Sequence, residues 1–311
     1  MPVDLRQMRY FSRVVALGSM GRAAAELGVG TSALSQQISR LEGELATRLL
    51  KRSATGVSPT DAGLAFLHQA QLALRHADDA IKAARHARLS GHVSIGFGSS
   101  IAAIVGVPFI QSMRERHPEI RLKLVENLSG TLSAMLGTRL LDLCIAFDSS
   151  AAARGAVIPL LDERLFLFGK PSLPGMPRAN STSLRDCAQI PLIMPAESHH
   201  LRVLVDGGFA RANVVPNIVL ETDGFALLMD AAREGIAATI QPGAAMARMA
   251  SAGLVMIEIV DEGLYRRTMI ASLADDELSL AALASRRVLA EVVRETVTSG
   301  RWPGARLFGP T

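Results

Sequence analysis

Apolar residues recur at helical spacing through the first 89 positions, and beyond them short apolar runs of strand character alternate with further helical runs. Asp4 reads as an N-cap with Gln7 at the reciprocal place three residues on. Leu5, Met8, Phe11, Val14 and Val15 form the expected buried stripe of this first helix, which Gly18 ends. Ser19 caps a second, short helix in which Ala23, Ala24 and Leu27 let another helix pack closely, and Gly28 supplies the exit. A third helix follows after only Gly28-Val29-Gly30, with Leu34, Ile38, Leu41 and Leu45 on one face.

Opposite that face lie Ser32, Ser35, Gln36 and Ser39, where surface helices usually carry Lys and Glu. Short hydroxyls and an amide can donate and accept at base edges and approach a groove floor without the bulk and single-sign charge of longer residues. A solvated face that happens to be serine-rich is the plainer alternative. Two helices joined by a tight turn make the helix-turn-helix arrangement, whose trailing helix enters the major groove. The expected DNA contacts are therefore Thr31, Ser32, Ser35, Gln36 and Ser39, flanked by Arg22 and Arg40.

After "LLKR" the stretch "SATGVSPT" has a Gly at its turn between β-branched residues, as in a two-stranded wing, with Lys51 and Arg52 placed for phosphates. Thr60 then caps a helix that can run to about Leu89, roughly 43 Å at 1.5 Å per residue. On it Leu67, Ala70, Leu74, Ala77, Ile81 and Ala84 keep three-four spacing, a stripe suited to pairing with a second copy or to packing on its own domain.

From Gly91 the expected strands are "HVSIGFG", "IRLKLVE", "LDLCIAF", "RLFLFGK", "IPLIMP", "NIVLE" and "IAATIQP". Helices are expected from about Ser100 to Arg116, near Leu132, from about His200 to Arg211 and over Phe225 to Arg233. This is an α/β pattern with a largely parallel sheet. The chain returns through "LYRRTMIASL" to a last helix near Ser279 to Thr298, and the tail around Trp302 suggests nothing further. Two sheet-bearing halves crossed twice, near Leu161 to Arg164 and near Tyr265 to Thr268, would form a hinged clamp around a ligand.

Charge sharpens this division. Of the net +4, residues 1–88 carry +5 and the rest −1, the asymmetry of a separate nucleic-acid-binding domain. With 49% hydrophobic residues and mean hydropathy +0.26 the 311-residue chain is globular and long enough for two or three domains. No apolar run reaches the roughly 18 to 20 residues of a membrane span, and the charged amino terminus does not read as a signal peptide, so a cytoplasmic protein is expected. Cys144 and Cys187 are too few for a disulfide framework or thiolate metal cage and are expected buried and reduced.

The segment "LRQMRYFSRVVALGSMGRAAAELGVGTSALSQQISRLEGELATRLLKRSATGVSPTDAG" resembles the amino-terminal signature of LysR-type transcriptional regulators. "GHVSIGFGSS", "LDLCIAF", "PLIMPAESHHLRVLVDGGFARA" and "EGIAATIQP" are similar, in the same order, to that family's effector domains. "LSGTLSAML" and the His-Leu-Arg segment are most similar to the nitrogen assimilation control subgroup. The resemblance implies an α+β multi-domain chain: a winged helix-turn-helix (1–59), a linker or dimerisation helix (60–90) and a two-lobed effector domain like a periplasmic binding protein (91–311). Lobe I would hold 91–162 and 267–298, and lobe II 163–266. It also implies double-stranded operator DNA, a small-molecule effector and RNA polymerase as partners, and a homodimer through the linker helix assembled into a homotetramer. In three places the chain departs from the family pattern. Gly30-Thr31-Ser32 stands where Ser-Gln-Pro is common, Leu50 replaces a usual Phe, and Thr55 replaces an often basic wing residue.

Three groups at expected helix starts could hold an anion: Ser99 with Ser100, Ser129 with Gly130 and Thr131, and Ser198, His199, His200 and Arg202. Arg202 could fork onto a carboxylate. Their alternative role is ordinary helix capping, and a regulator that needs no inducer stays open. Enzyme readings find little support. Gly96-Phe97-Gly98 lacks a third glycine and a ribose-binding acid about 20 residues on, and no Gly-x-Ser-x-Gly elbow is present. His199 and His200 stand about 100° apart on a helix, unlike a metal pair one turn apart. No cofactor or metal is expected. The competing class is a solute-binding or transport protein built on the two-lobed domain alone, which leaves residues 1–88 unexplained.

Overall fold

The computed structural model describes residues 3–53, 56–85, 90–147, 155–248 and 253–308. They fall into two units, Met1–His92 and Val93–Thr311. In the first, helix α1 (Leu5–Leu17) starts on the reciprocal cap: the Asp4 carboxylate accepts from the Gln7 amide N–H at 2.7 Å and the Gln7 side chain accepts from the Asp4 N–H at 3.0 Å. Phe11 and Val14 are fully buried and Met8 and Val15 half-buried, but Leu5 is 45% exposed and Gln7 takes the buried place beside the cap. Side chains on a helix tilt toward its amino end, so a residue at the first helical position has no preceding turn to pack on.

Gly18 at φ 61° closes α1, Ser19 caps α2 (Met20–Leu27), and Gly28 at φ 67° turns the chain out of it. That left-handed conformation strains any residue with a Cβ, which is why the turn can be so short. Helix α3 (Thr31–Glu44) buries Leu34, Ile38 and Leu41 against Phe11, Val14, Ala23 and Ala24, with Leu45 half-buried at its end. The wing is a hairpin of β1 (Leu50–Ser53) and β2 (Gly56–Pro59), paired Leu50↔Pro59 to Ser53↔Gly56. Helix α4 (Asp61–Arg85) begins at Thr60, whose Oγ1 accepts from the Gly63 N–H at 2.9 Å. Phe66 meets Phe11 edge-on at 5.3 Å and anchors its first turns in the core of the unit. Along the expected stripe Ala70 is buried, Leu67, Leu74 and Ala77 are half-buried, and Ile81 is 50% exposed. The side chain of Ala84 and all of residues 86–89 lie outside the described residues.

The second unit runs β3 (Gly91–Phe97), α5 (Ser99–Arg116), β4 (Ile120–Glu126), α6 (Ser129–Gly137), β5 (Leu143–Ala146) and β6 (Ala156–Gly169). It continues through β7 (Ser181–Thr182), α7 (Leu184–Cys187), β8 (Leu192–Met194), α8 (His200–Arg211), β9 (Ile218–Glu221), α9 (Phe225–Arg233) and β10 (Thr239–Pro242). A 3₁₀ turn (Gly243–Arg248), β11 (Val255–Ile259), β12 (Tyr265–Ser272), α10 (Leu280–Thr298) and β13 (Ala305–Leu307) complete it. The sheet order is β4-β3-β5-β12-β6-β11-β7, with β10 and β13 also on β6 and a separate β8-β9 pair.

The sheet is mixed rather than largely parallel. β3 pairs with β5 in parallel, but β12 runs antiparallel to both β5 and β6. The two crossing segments expected from sequence pair with each other, Tyr265↔Arg164 through Thr268↔Leu161, and the register shifts between Thr268 and Met269. β6 begins eight residues before the expected Arg164, and its first half is held by β12 and β13 while its second half is held by β10 and β11. Cys144 and Cys187 are buried free thiols, and burial pushes them up to about 12 and about 11, so neither supplies thiolate near neutrality.

Candidate DNA-reading face and ligand cavity

On α3 the outward residues Thr31, Ser32, Gln36, Ser39 and Arg40 are exposed, on the side away from Leu34, Ile38 and Leu41. Ser35 sits at the boundary of the two faces and is half-buried. Gly30 precedes the helix in extended conformation and no side chain caps the first turn. Arg22 is exposed and its guanidinium donates to the Leu17 carbonyl, while Arg40 Nε donates to Glu44 at 2.8 Å one turn on. Lys51 is exposed on β1 and Arg52 follows it; the side chain of Arg52, and Thr55, lie outside the described residues.

A residue missed by sequence reasoning joins these parts. Glu42 is buried beside Leu41, and its carboxylate accepts from the backbone N–H groups of Leu49 at 2.8 Å and Leu50 at 3.0 Å and from Arg48 at 2.9 Å. It thereby fixes how β1 leaves the end of α3. Burial pushes the carboxyl up, but the Leu50 and Leu49 amides and Arg48 outweigh it and hold Glu42 below its ordinary value. An acid inside an apolar helical stripe was the visible signal.

In the second unit the starts of three helices border one cavity of about 40 Å³. Ser99 and Ser100 open α5, Ser129 opens α6, and His199 caps α8 by accepting the Leu201 N–H on Nδ1 at 3.1 Å. The Gly-x-Gly before α5 has a packing explanation: a Cβ on Gly96 would lie 2.7 Å from Leu132 and Leu141. Because Nδ1 of His199 is an acceptor, the neutral ring carries its proton on Nε2. Burial, and then the positive charge of Arg266, hold His199 below its ordinary value, with Asp223 opposing.

Five of the expected ligand residues do not line the cavity: Gly130, Thr131, Ser198, His200 and Arg202. Thr131 is exposed and does not line the cavity, and His200 packs beside the Phe147 ring at 6.0 Å. Arg202 is not free to fork onto a ligand: buried, it donates to Asp206 at 2.8 Å, to Glu221 at 2.6 Å and to the Pro195 carbonyl at 3.0 Å. The guanidinium that does line the cavity is Arg266 of β12, 3% exposed. It donates to Glu163 Oε1 from Nε at 2.8 Å and to Ser100 Oγ from Nη2 at 3.0 Å. Trp302, from the tail that suggested nothing, is buried and donates from Nε1 to Glu163 Oε2 at 2.8 Å.

Hydroxyls, helix amino ends, an imidazole Nε2–H and a guanidinium converge here with one carboxylate, Asp223, which accepts from the Ala196 N–H at 3.1 Å; the donors outnumber it, and the inventory suits a small anion. Among the described residues no group of three or more His, Cys, Asp or Glu could hold a metal ion, and no helix is long and apolar enough to cross a membrane.

Two family profiles match the chain: "Bacterial regulatory helix-turn-helix protein, lysR family" over residues 5–64 and "LysR substrate binding domain" over residues 86–294. The nitrogen assimilation regulatory protein nac of Escherichia coli (strain K12) is 32% identical over 300 residues, covering 96% of this chain and 95% of that protein. Full-length CbnR complexed with its target DNA is similar in structure with a TM-score of 0.67 at 21% identity, over 94% of this chain and 100% of that one. The effector binding domain of QuiR in complex with shikimate gives 0.60 at 19% identity, over 67% of this chain and 99% of that one.

Proposed function

Because the chain belongs to the LysR family of bacterial transcriptional regulators, we propose that α3 reads operator DNA with Gln36, Ser32, Ser39 and Thr31 and that the α/β unit senses a small anionic metabolite. The observation that carries the reading is the outward row of uncharged hydrogen-bonding side chains on a helix whose opposite face packs Leu34, Ile38 and Leu41 into the core. Ser35, at the edge of that row, and Arg22, Arg40, Lys51 and Arg52 around it steady the duplex through its backbone.

In this reading residues 1–59 read DNA and 60–90 pair two subunits. Recognition helices then enter successive major grooves with half-sites roughly 10 bp or a multiple apart. Residues 91–162 with 267–298, and 163–266, form the two lobes around the ligand; the structurally similar effector binding domain of QuiR is in complex with shikimate. Ser99, Ser100, Ser129 and His199 take the anion's oxygens. Ligand binding alters the arrangement of dimers in a tetramer and so the contact with RNA polymerase. The site's chemistry is recognition without catalysis, and the same reading places the protein in the cytoplasm. A solute carrier would have no use for α3.

Gel-shift titrations of the neighbouring promoter fragment against a shuffled fragment, at several salt concentrations, test it. Gln36→Ala should weaken specific binding by about 1–3 kcal/mol and leave shuffled-fragment binding unchanged. Equal losses on both fragments would remove Gln36 from base reading.

A further inference from the structure

Arg266 has several partners and one open edge. Nε and Nη2 both reach Glu163 Oε1, at 2.8 and 2.5 Å, Nη2 also reaches Ser100 Oγ, and the Phe147 ring covers one face with its centroid 3.9 Å from Cζ. None of the described hydrogen bonds uses Nη1, although the residue lines the cavity. Glu163, fully buried, faces Arg266 in the β6–β12 register and reaches past it to Trp302 and, at 3.5 Å, to the Ala244 N–H. One guanidinium thus belongs both to the pair that clips the crossing strands together and to the wall of the cavity.

Its charge is already matched by Glu163. A carboxylate entering beside Ser99, Ser129 and His199 gains the N–H groups of Nη1 but meets the field of that resident anion, and of Asp223 in the same wall. We propose that Arg266 is the residue that recognises a carboxylate in this cavity, and that Glu163, as its standing counter-ion, sets how tightly: ligand and Glu163 compete for one guanidinium. The inference rests on the reading that the cavity takes a small anion. Occupancy then weakens the buried pair that joins β6 to β12, so the ligand acts on the crossing strands through a charge it shares with them. Trp302, held by the same carboxylate, carries the change to the carboxy-terminal segment.

The test is calorimetric titration of the full chain with sodium acetate against sodium chloride at matched ionic strength, with far-UV circular dichroism to confirm folding. Glu163→Gln keeps an acceptor for Trp302 and removes the competing charge, so acetate should bind about tenfold or more tighter than to the wild-type chain. Combining Glu163→Gln with Arg266→Gln removes both charges and leaves no lone buried ion, and acetate binding should fall about tenfold or more below wild type. If Glu163→Gln alone does not fold, the double variant against wild type decides whether Arg266 recognises the carboxylate. Glu163→Asp, which keeps the charge and draws it back from Arg266, then takes its place in testing the competition, with tighter acetate binding expected and weaker binding overturning it.

Equal affinity in wild type and double variant would overturn Arg266 as the recognising group while leaving the helix starts as the anion site. Weaker binding by Glu163→Gln than by wild type would overturn the competition. No response to acetate in any of the chains would overturn the inference and the anion reading together.

Discussion

The face of α3 and the cavity of the α/β unit are built by opposite means. Every residue of the proposed reading face lies within Thr31–Arg40, uncharged apart from the last, and its position follows from helical spacing once Leu34, Ile38 and Leu41 are known to be core. The cavity takes its charge from residues far apart in the chain: Arg266 and Glu163 are separated by 103 positions, and Glu163 and Trp302 by 139. A surface that must meet a large partner can be written locally, because the partner supplies the second wall. A pocket for a small anion has to supply all its own walls, so its chemistry is a property of topology.

The largest effect should come from the long-range site. Trp302→Ala removes a buried ring and a donor to buried Glu163, and should destabilise the second unit by about 3–5 kcal/mol while sparing the first. Denaturant titration followed by circular dichroism reads this, since Trp302 is the chain's only tryptophan. Loss confined to a few tenths of a kcal/mol would mean that Trp302 does not help hold Glu163 in the core.

Glu42→Ala probes the local site and should cost about 2–4 kcal/mol by leaving the Leu49 and Leu50 amides without their acceptor, with specific and non-specific DNA binding weakened alike as the wing loosens. Because its folded-state carboxyl is held down, the stability it contributes is fully present above its ordinary value of 4.5 and is lost as pH falls through the folded value. Acid titration of wild type against Glu42→Gln should show that slope only in wild type.

The smallest effect belongs to His199. Its folded-state ring is held below 6.5, so the unfolded chain takes up a proton first, and stability falls as pH drops from that value toward the folded one. His199→Asn keeps an N-cap acceptor and should flatten this slope, with a change under about 1 kcal/mol at neutral pH.

Much of the fold was legible because helix ends are announced by their own residues. Asp4 with Gln7, Ser19, Gly28 and Thr60 act within three or four positions of themselves, as the structure bears out. α8 is capped in the same way by His199, whereas α9 starts after Gly224 without a side-chain cap. What stayed hidden depended on partners. The first half of β6 is a strand because β12 and β13 flank it. Arg202 looked like a ligand residue because nothing near it in sequence shows that Glu221 would reach it, and nothing near Arg266 shows that Glu163 would face it.

The register shift in β12 gives that second ambiguity a sharper edge. From Tyr265 to Thr268 exposed and buried residues alternate, and from Met269 to Ser272 every side chain is inside. Arg266 and Arg267 are told apart only by parity: deleting one residue upstream of the shift would send Arg267 to the core side and Arg266 into water. A substitution in this segment alters one side chain, whereas a one-residue indel would rewire which arginine meets Glu163.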